Sequence, residues 1–171
     1  MLRSSGSGSV DMDDFDLYRL FKTLHVISVV LLGGGFVLEG ICGPLVARAR
    51  TIGEVRAYAK LIYISENYLS FPAALGIAIF GYLTADRANF DLDLTWLLLG
   101  QILFYVITAL AIAFLRPAAN RLYALANAAP DGPVTPEVAA QLKKPVAAIV
   151  GAVTSVMFAF VIYLMVSKPA W

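Results

Sequence analysis

Residues Leu24 to Val46 read LHVISVVLLGGGFVLEGICGPLV. The stretch is almost wholly apolar or glycine, broken by one histidine, His25, and one carboxylate, Glu39. At about 1.5 Å per residue, a helix of this length crosses the ~30 Å hydrocarbon layer of a bilayer. At about 100° per residue, His25, Ser28, Leu32, Gly35, Glu39 and Cys42 fall in one arc. A polar group facing lipid is costly, so this arc is expected to face protein. Gly33, Gly40 and Ala47 lie beside it and are expected to let a neighbouring helix approach closely. The run Gly33-Gly34-Gly35 lowers helix propensity and marks an expected bend.

The rest of the chain fits this segment. Of 171 residues, 60% are hydrophobic and 15% charged, whereas a soluble domain carries roughly a quarter charged residues. The charges cluster and leave long uncharged runs, as membrane spans do. A net charge of +1 provides no surface for nucleic acid or another polyanion. The lone Cys42 excludes an intrachain disulfide. No histidine or cysteine cluster has zinc spacing, and Gly33 to Gly35 follow no strand that would make them a phosphate loop. A Ser-His-acid triad has no hydrolase scaffold here. Met157 and Met165 read as packing. The expectation is a multi-pass membrane component without a catalytic site and not an enzyme.

Upstream of the quoted stretch, residues 1–16 form a polar tail, Ser/Gly-rich at its start, expected to be flexible. The tail lacks the basic and apolar regions of a secretory signal, and Met12 would serve as a start. Asp14 or Asp16 can cap the first helix. Tyr18 and Phe21 suit an interfacial belt, with Arg19 and Lys22 reaching the headgroups. Downstream comes a basic connector with Arg48, Arg50, Arg56 and Lys60. Within it, Thr51-Ile52-Gly53-Glu54 is a capping box that starts the second span. Pro72 is expected to kink that span, and Glu66 and Asn67 lie inside its apolar part.

Asp91 or Asp93 can cap a third span in which Gln101 is the strongly polar residue. Arg116-Pro117 ends or kinks it, and Ala118 to Ala129 read as a short helical extension. Pro130-Asp131-Gly132-Pro133 is a turn. Thr135-Pro136-Glu137 starts the fourth span. Lys143 and Lys144 mark an interface and Pro145 a kink. Ala147, Gly151, Ser155 and Ala159 form a small-residue packing face.

These readings give an all-α fold, a four-helix up-down bundle over residues 17–171, with spans near 17–47, 52–84, 94–116 and 136–167. Its partners are the lipid bilayer and either further copies of the chain or another membrane subunit. The connectors 48–60 and 116–144 hold eight of the thirteen Lys/Arg residues. The positive-inside rule then puts both in the cytoplasm and both termini outside, in a bacterial inner membrane.

The intramembrane ionisable groups are the candidate site. With span 1 centred near Gly34, Glu39 lies ~7 Å from the midplane, and with span 2 centred near Pro72, Glu66 lies ~9 Å toward the same side. Two ionised carboxylates close together in an apolar setting repel, so either one holds a proton or a cation intervenes. Arg116 and Lys143 are the candidate partners, giving an expected cluster of Glu39, Glu66, Asn67, Arg116 and Lys143. The pair would suit a small proton-coupled transporter or a channel-like protein. His25 reads either as a neutral imidazole bonded to a neighbouring helix, as a haem or porphyrin ligand, or as part of a proton relay.

Lys22-Thr23-Leu24-His25, followed by Gly33-Gly34, Gly43-Pro44 and Arg48, resembles the first span of a bacterial family described only as predicted integral membrane proteins, a domain of unknown function. Leu115-Arg116-Pro117 is similar to its third-span ending, and the resemblance runs from Leu17 to Lys168. More distantly, the Leu-His start and glycine pair resemble copper-resistance D-type membrane proteins and membrane protoporphyrinogen oxidases. The latter resemblance implies haem or porphyrin at His25. This chain departs from both groups: Leu32 stands where they tend to have Trp, span 3 has no Lys, and there is no second histidine.

Overall fold

A computed structural model describes residues 14–169. Among them, the chain forms α1 (Asp14–Ala47), α2 (Ile52–Ile64), a π-helical segment (Ser65–Ser70) and α3 (Phe71–Arg87). There follow α4 (Thr95–Leu110), a second π-helical segment (Ala111–Leu115), α5 (Arg116–Ala128), α6 (Pro136–Leu142) and α7 (Val146–Ser167). No strand occurs among the described residues, and four rods, 15–47, 52–87, 95–128 and 136–167, the last interrupted at 143–145, are long and apolar enough to cross a membrane. The third rod does not stop at Arg116 as a span ending there would. It runs on through α5, because the second π-helical segment absorbs Pro117 without ending the helix.

The arc on α1 faces protein. Ser28, Leu32 and Cys42 are buried. His25 meets the Ile77 carbonyl at 3.1 Å, and the Glu39 carboxyl accepts a hydrogen bond from Ser65 at 2.7 Å. Partner numbers fall as α1 numbers rise, so α1 and α3 are antiparallel. They are also the most extensively packed pair of helices. The close approach uses other glycines than the expected ones. Gly40 has open space where a side chain would be, whereas a Cβ on Gly35 would collide with Ser70 Oγ and come within 3.3 Å of Ser65 Oγ. The reason is the angle: Gly35 sits within the arc, Gly40 outside it. Gly151 on α7 likewise faces open space, so that helix does not use its small-residue face for close packing at this point.

α4 and α7 form a second antiparallel hairpin. The two hairpins meet in an apolar cluster of Leu32, Ala73, Ile77, Phe104, Ile107, Phe158 and Val161. Little of each span is buried inside the chain, and exposed residues such as Val30, Val37, Ile79, Val156 and Val166 point outward. A continuous apolar exterior of this kind is suited to lipid.

The helices are longer than a bilayer is thick: α1 alone, with 34 residues, spans about 51 Å. Tyrosines flank the middle of the second rod. Tyr63, Tyr68 and Tyr123 gather at one level, and Tyr82 lies on the far side of the same rod. From Tyr63 to Tyr82 is about 29 Å of helix, close to the hydrocarbon thickness. Beyond Tyr63, about 17 Å of α2 projects toward the basic connectors.

That projection has its own core, made by Val46, Ile52, Val55, Ala59, Leu122, Ala126 and Val138. Its connectors are pinned. Thr51 pairs with Pro133 in an isolated bridge, Ile52 N–H donates to the Gly132 carbonyl at 2.9 Å, and Val134 N–H to Arg50 at 3.3 Å. Arg56 donates to the Ala126 and Ala129 carbonyls at the end of α5 and pairs with Asp131 at 2.9 Å. The capping box forms: the Glu54 N–H donates to Thr51 Oγ1 at 3.3 Å, and the Thr51 N–H to Glu54 at 3.4 Å. Thr135 caps α6 from its side chain.

Elsewhere capping differs from expectation. Leu94, not Asp91 or Asp93, precedes α4, and no side chain caps it. The loop is instead turned by Asn89 at φ 53°, and the Leu94 N–H donates to the Asp91 carbonyl. Residues 1–13 of the polar tail lie outside the described residues.

Candidate functional site

The two π-helical segments share one local cause. In the first, the Phe71 N–H reaches back five residues to the Glu66 carbonyl. In the second, the Arg116 N–H reaches five back to Ala111. Each is followed, after one intervening residue, by a proline, Pro72 and Pro117. A proline ring in a regular α-helix presses on the carbonyl four residues earlier and donates no N–H. A widened turn makes room for the ring and adds a residue without ending the helix. The expected kink sites are therefore π-bulges, and such bulges are frequent at functional sites.

Both bulges lie against one cavity of about 40 Å³. Glu39 of α1, Glu66 and Ser70 of the first π-helical segment, and Arg116 of α5 supply its polar groups, with Thr108 of α4. Leu32, Phe36, Phe71, Ile107 and Leu115 are among its apolar walls. A cavity of this size holds a water or two, since one water needs roughly 10–15 Å³.

Glu39 accepts from Ser65, which is fully buried, and lines the same small cavity as Glu66. Glu66 is 5% exposed. Two ionised carboxylates facing one small cavity repel, so a proton or a cation is needed to offset the charge of one of them.

Arg116 is near but not paired. No carboxylate forms a salt bridge with it among the described residues. Its Nε donates to Asn67 Oδ1 at 2.8 Å, and its guanidinium covers the Phe71 ring at 4.5 Å. Asn67 in turn donates through Nδ2 to Asn120 Oδ1 at 2.8 Å and to the Tyr63 carbonyl at 2.9 Å.

Of the residues singled out in the sequence, the structure brings Glu39, Glu66, Asn67 and Arg116 together. Lys143 stands apart. It caps the end of α6, exposed, where Pro145 breaks the fourth rod into α6 and α7. His25 is also separate, at the opposite end of α1. Its imidazole Nδ1 engages the Ile77 carbonyl, and a Cβ on Gly81 would come within 2.9 Å of the ring, so a side chain there would displace it. This is the arrangement of a helix-to-helix hydrogen bond. Ser65, Ser70 and Asn120 were not singled out. Serine in an apolar helix carries no distinctive signal, but the pattern of a polar run five to seven residues before a proline would have pointed to Ser65.

The fold and site define a multi-pass membrane helix bundle with a half-buried Glu39 and a buried Glu66 on one cavity. The chain belongs to the family described as Predicted integral membrane protein (DUF2269), which matches residues 19–169. Neither curated proteins nor solved structures gave a match to it.

Proposed function

We propose that the protein is a non-catalytic membrane component that exchanges protons at Glu39 and Glu66, as a small proton-coupled transporter or channel-like protein does. The observation that carries this reading is that two carboxyls face one small cavity inside the bundle, beside a guanidinium that bonds neither of them. Loss of the shared proton leaves two charges in an apolar setting, and Arg116 is the cation within the same cavity that can compensate them. Binding and release of a proton thus changes which partner Arg116 prefers. The small cavity suits a proton with a water or two, not an organic substrate. With the basic connectors in the cytoplasm, the pair lies on the cytoplasmic side of the midplane.

The test is proton flux into proteoliposomes under an imposed pH gradient, together with infrared detection of the protonated carboxyl band. The wild type is expected to conduct or couple protons and to show a titrating band. Glu39→Gln and Glu66→Gln should each abolish the flux and alter the band. Unchanged flux in both variants overturns the proposal.

A further inference from the structure

We infer that the carboxyl pair is reached from the basic end alone, along a polar route made by Asn120, Asn67 and Arg116. The inference rests on the proton-exchange reading above and gives it a direction. Its first support is the route. Asn120 is exposed on α5, about one turn from Tyr123 on the cavity side, and its Oδ1 accepts from Asn67 Nδ2 at 2.8 Å. Asn67 Oδ1 accepts from Arg116 Nε, again at 2.8 Å, and Arg116 lines the cavity that also holds Glu39 and Glu66. Each step is a polar group within hydrogen-bonding distance of the next or facing the same small cavity. Water entering along α5 therefore meets polar groups as far as the carboxyls.

The second support is what lies on the other side. Leu32, Ala73, Ile77, Phe104, Ile107, Phe158 and Val161 are each no more than 9% exposed and close the bundle between the cavity and the 88–94 loop. Phe36 and Phe158 stack within this layer with ring centres 5.1 Å apart. Still further toward that loop, Ser28 lies against Gly76 and His25 against Gly81, so the α1–α3 seam has no room for water. A proton coming from the loop end meets closely packed hydrocarbon where one from the basic end meets amides and a guanidinium. In this conformation Asn67 and Asn120 are positioning residues that hold the access route and set the orientation of Arg116.

The experiment is sided thiol labelling in a Cys42→Ala background, in sealed vesicles of both orientations, with a membrane-impermeant cationic methanethiosulfonate. Asp131→Cys reports the basic end and Asp91→Cys the loop end. Asn67→Cys and Ser70→Cys report the route and the cavity, and Ile77→Cys the apolar layer. The expected result is that Asn67→Cys and Ser70→Cys react from the side on which Asp131→Cys reacts, while Ile77→Cys reacts from neither. Two probes are used because Asn67→Cys removes three hydrogen bonds; if it does not yield folded protein, Ser70→Cys decides. Labelling of the deciding probe from the Asp91 side or from neither side, or of Ile77→Cys from either, overturns the inference.

Infrared titration of the unmodified protein in detergent has no sidedness and separates the two ideas. A carboxyl band that titrates while the route probes label from the loop end ends the access inference alone. A band unaffected by Glu39→Gln and Glu66→Gln ends the proton-exchange reading itself.

Discussion

The two π-helical segments have the same backbone and opposite chemistry. Ser65–Ser70 reads SENYLS and brings two serines, a carboxyl and an amide into the membrane. Ala111–Leu115 reads AIAFL and brings none of these. Both precede a proline and both border the cavity, so the widened turn fixes where the helices open and the side chains decide what the opening does. One bulge supplies the acid. The other supplies apolar walls and, one residue later, the cation. An acid on one bulge and a cation just past the other thus face the same cavity, each bonded to something else.

The comparison can be broken most severely at the acid. Glu39→Gln and Glu66→Gln should each reduce proton flux at least roughly tenfold with little loss of helix content, as read by dye quenching and circular dichroism. A substitution at the first proline should come next. Pro72→Ala restores an N–H and removes the need for a wide turn, so Glu66 is expected to rotate away from Glu39. Pro117→Ala should lower flux less, because Arg116 is long enough to reach the cavity from a shifted backbone. Equal effects of the two proline substitutions would show that the bulges are not functionally distinct.

Packing substitutions should act on stability and spare the difference between the bulges. Gly35→Ala drives a methyl into Ser70 and Ser65, and overpacking of this kind costs about 1–3 kcal/mol. Thermal unfolding in detergent should show a clear downward shift. The effect of His25→Ala should be smaller. Removing one interhelical hydrogen bond in a membrane protein costs on the order of 0.6 kcal/mol. The absorption spectrum should be the same before and after the substitution, and loss of a Soret band in the variant would make His25 a haem ligand instead. Lys143→Ala should change neither flux nor the infrared band, since Lys143 lies outside the cavity.

Helix number, the buried arc of α1 and the depth match between Glu39 and Glu66 were legible from period and length. Hydrophobic runs and a 100° repeat carry that information directly. The partners of the acids were legible only in part. Arg116 could be placed at the correct level by counting, but so could Lys143, and counting along a rod does not say which side chain points inward. Pro145 interrupts the fourth rod beside Lys143, and that local break decides the matter. The glycine contacts show the same limit. Gly40 and Gly35 are equally small, and the position of the neighbouring helix determines which one is needed. The bulges were foreseen as kinks because proline disrupts the ladder visibly, while the wide turn that repairs it depends on the whole rod remaining straight enough to pack.

The pinned connectors at the basic end have a mechanical consequence. Thr51 and Pro133 tie the two hairpins together there, and Arg56 locks the end of α5 to the start of α2. At the opposite end α3 and α4 are joined by a loop but make few contacts with each other. A pair of tongs riveted at one end opens at the other. Admitting water to the carboxyls from the loop side therefore requires the hairpins to swing about the basic-end clamp, with the apolar layer around Leu32 and Phe158 as the jaws that part.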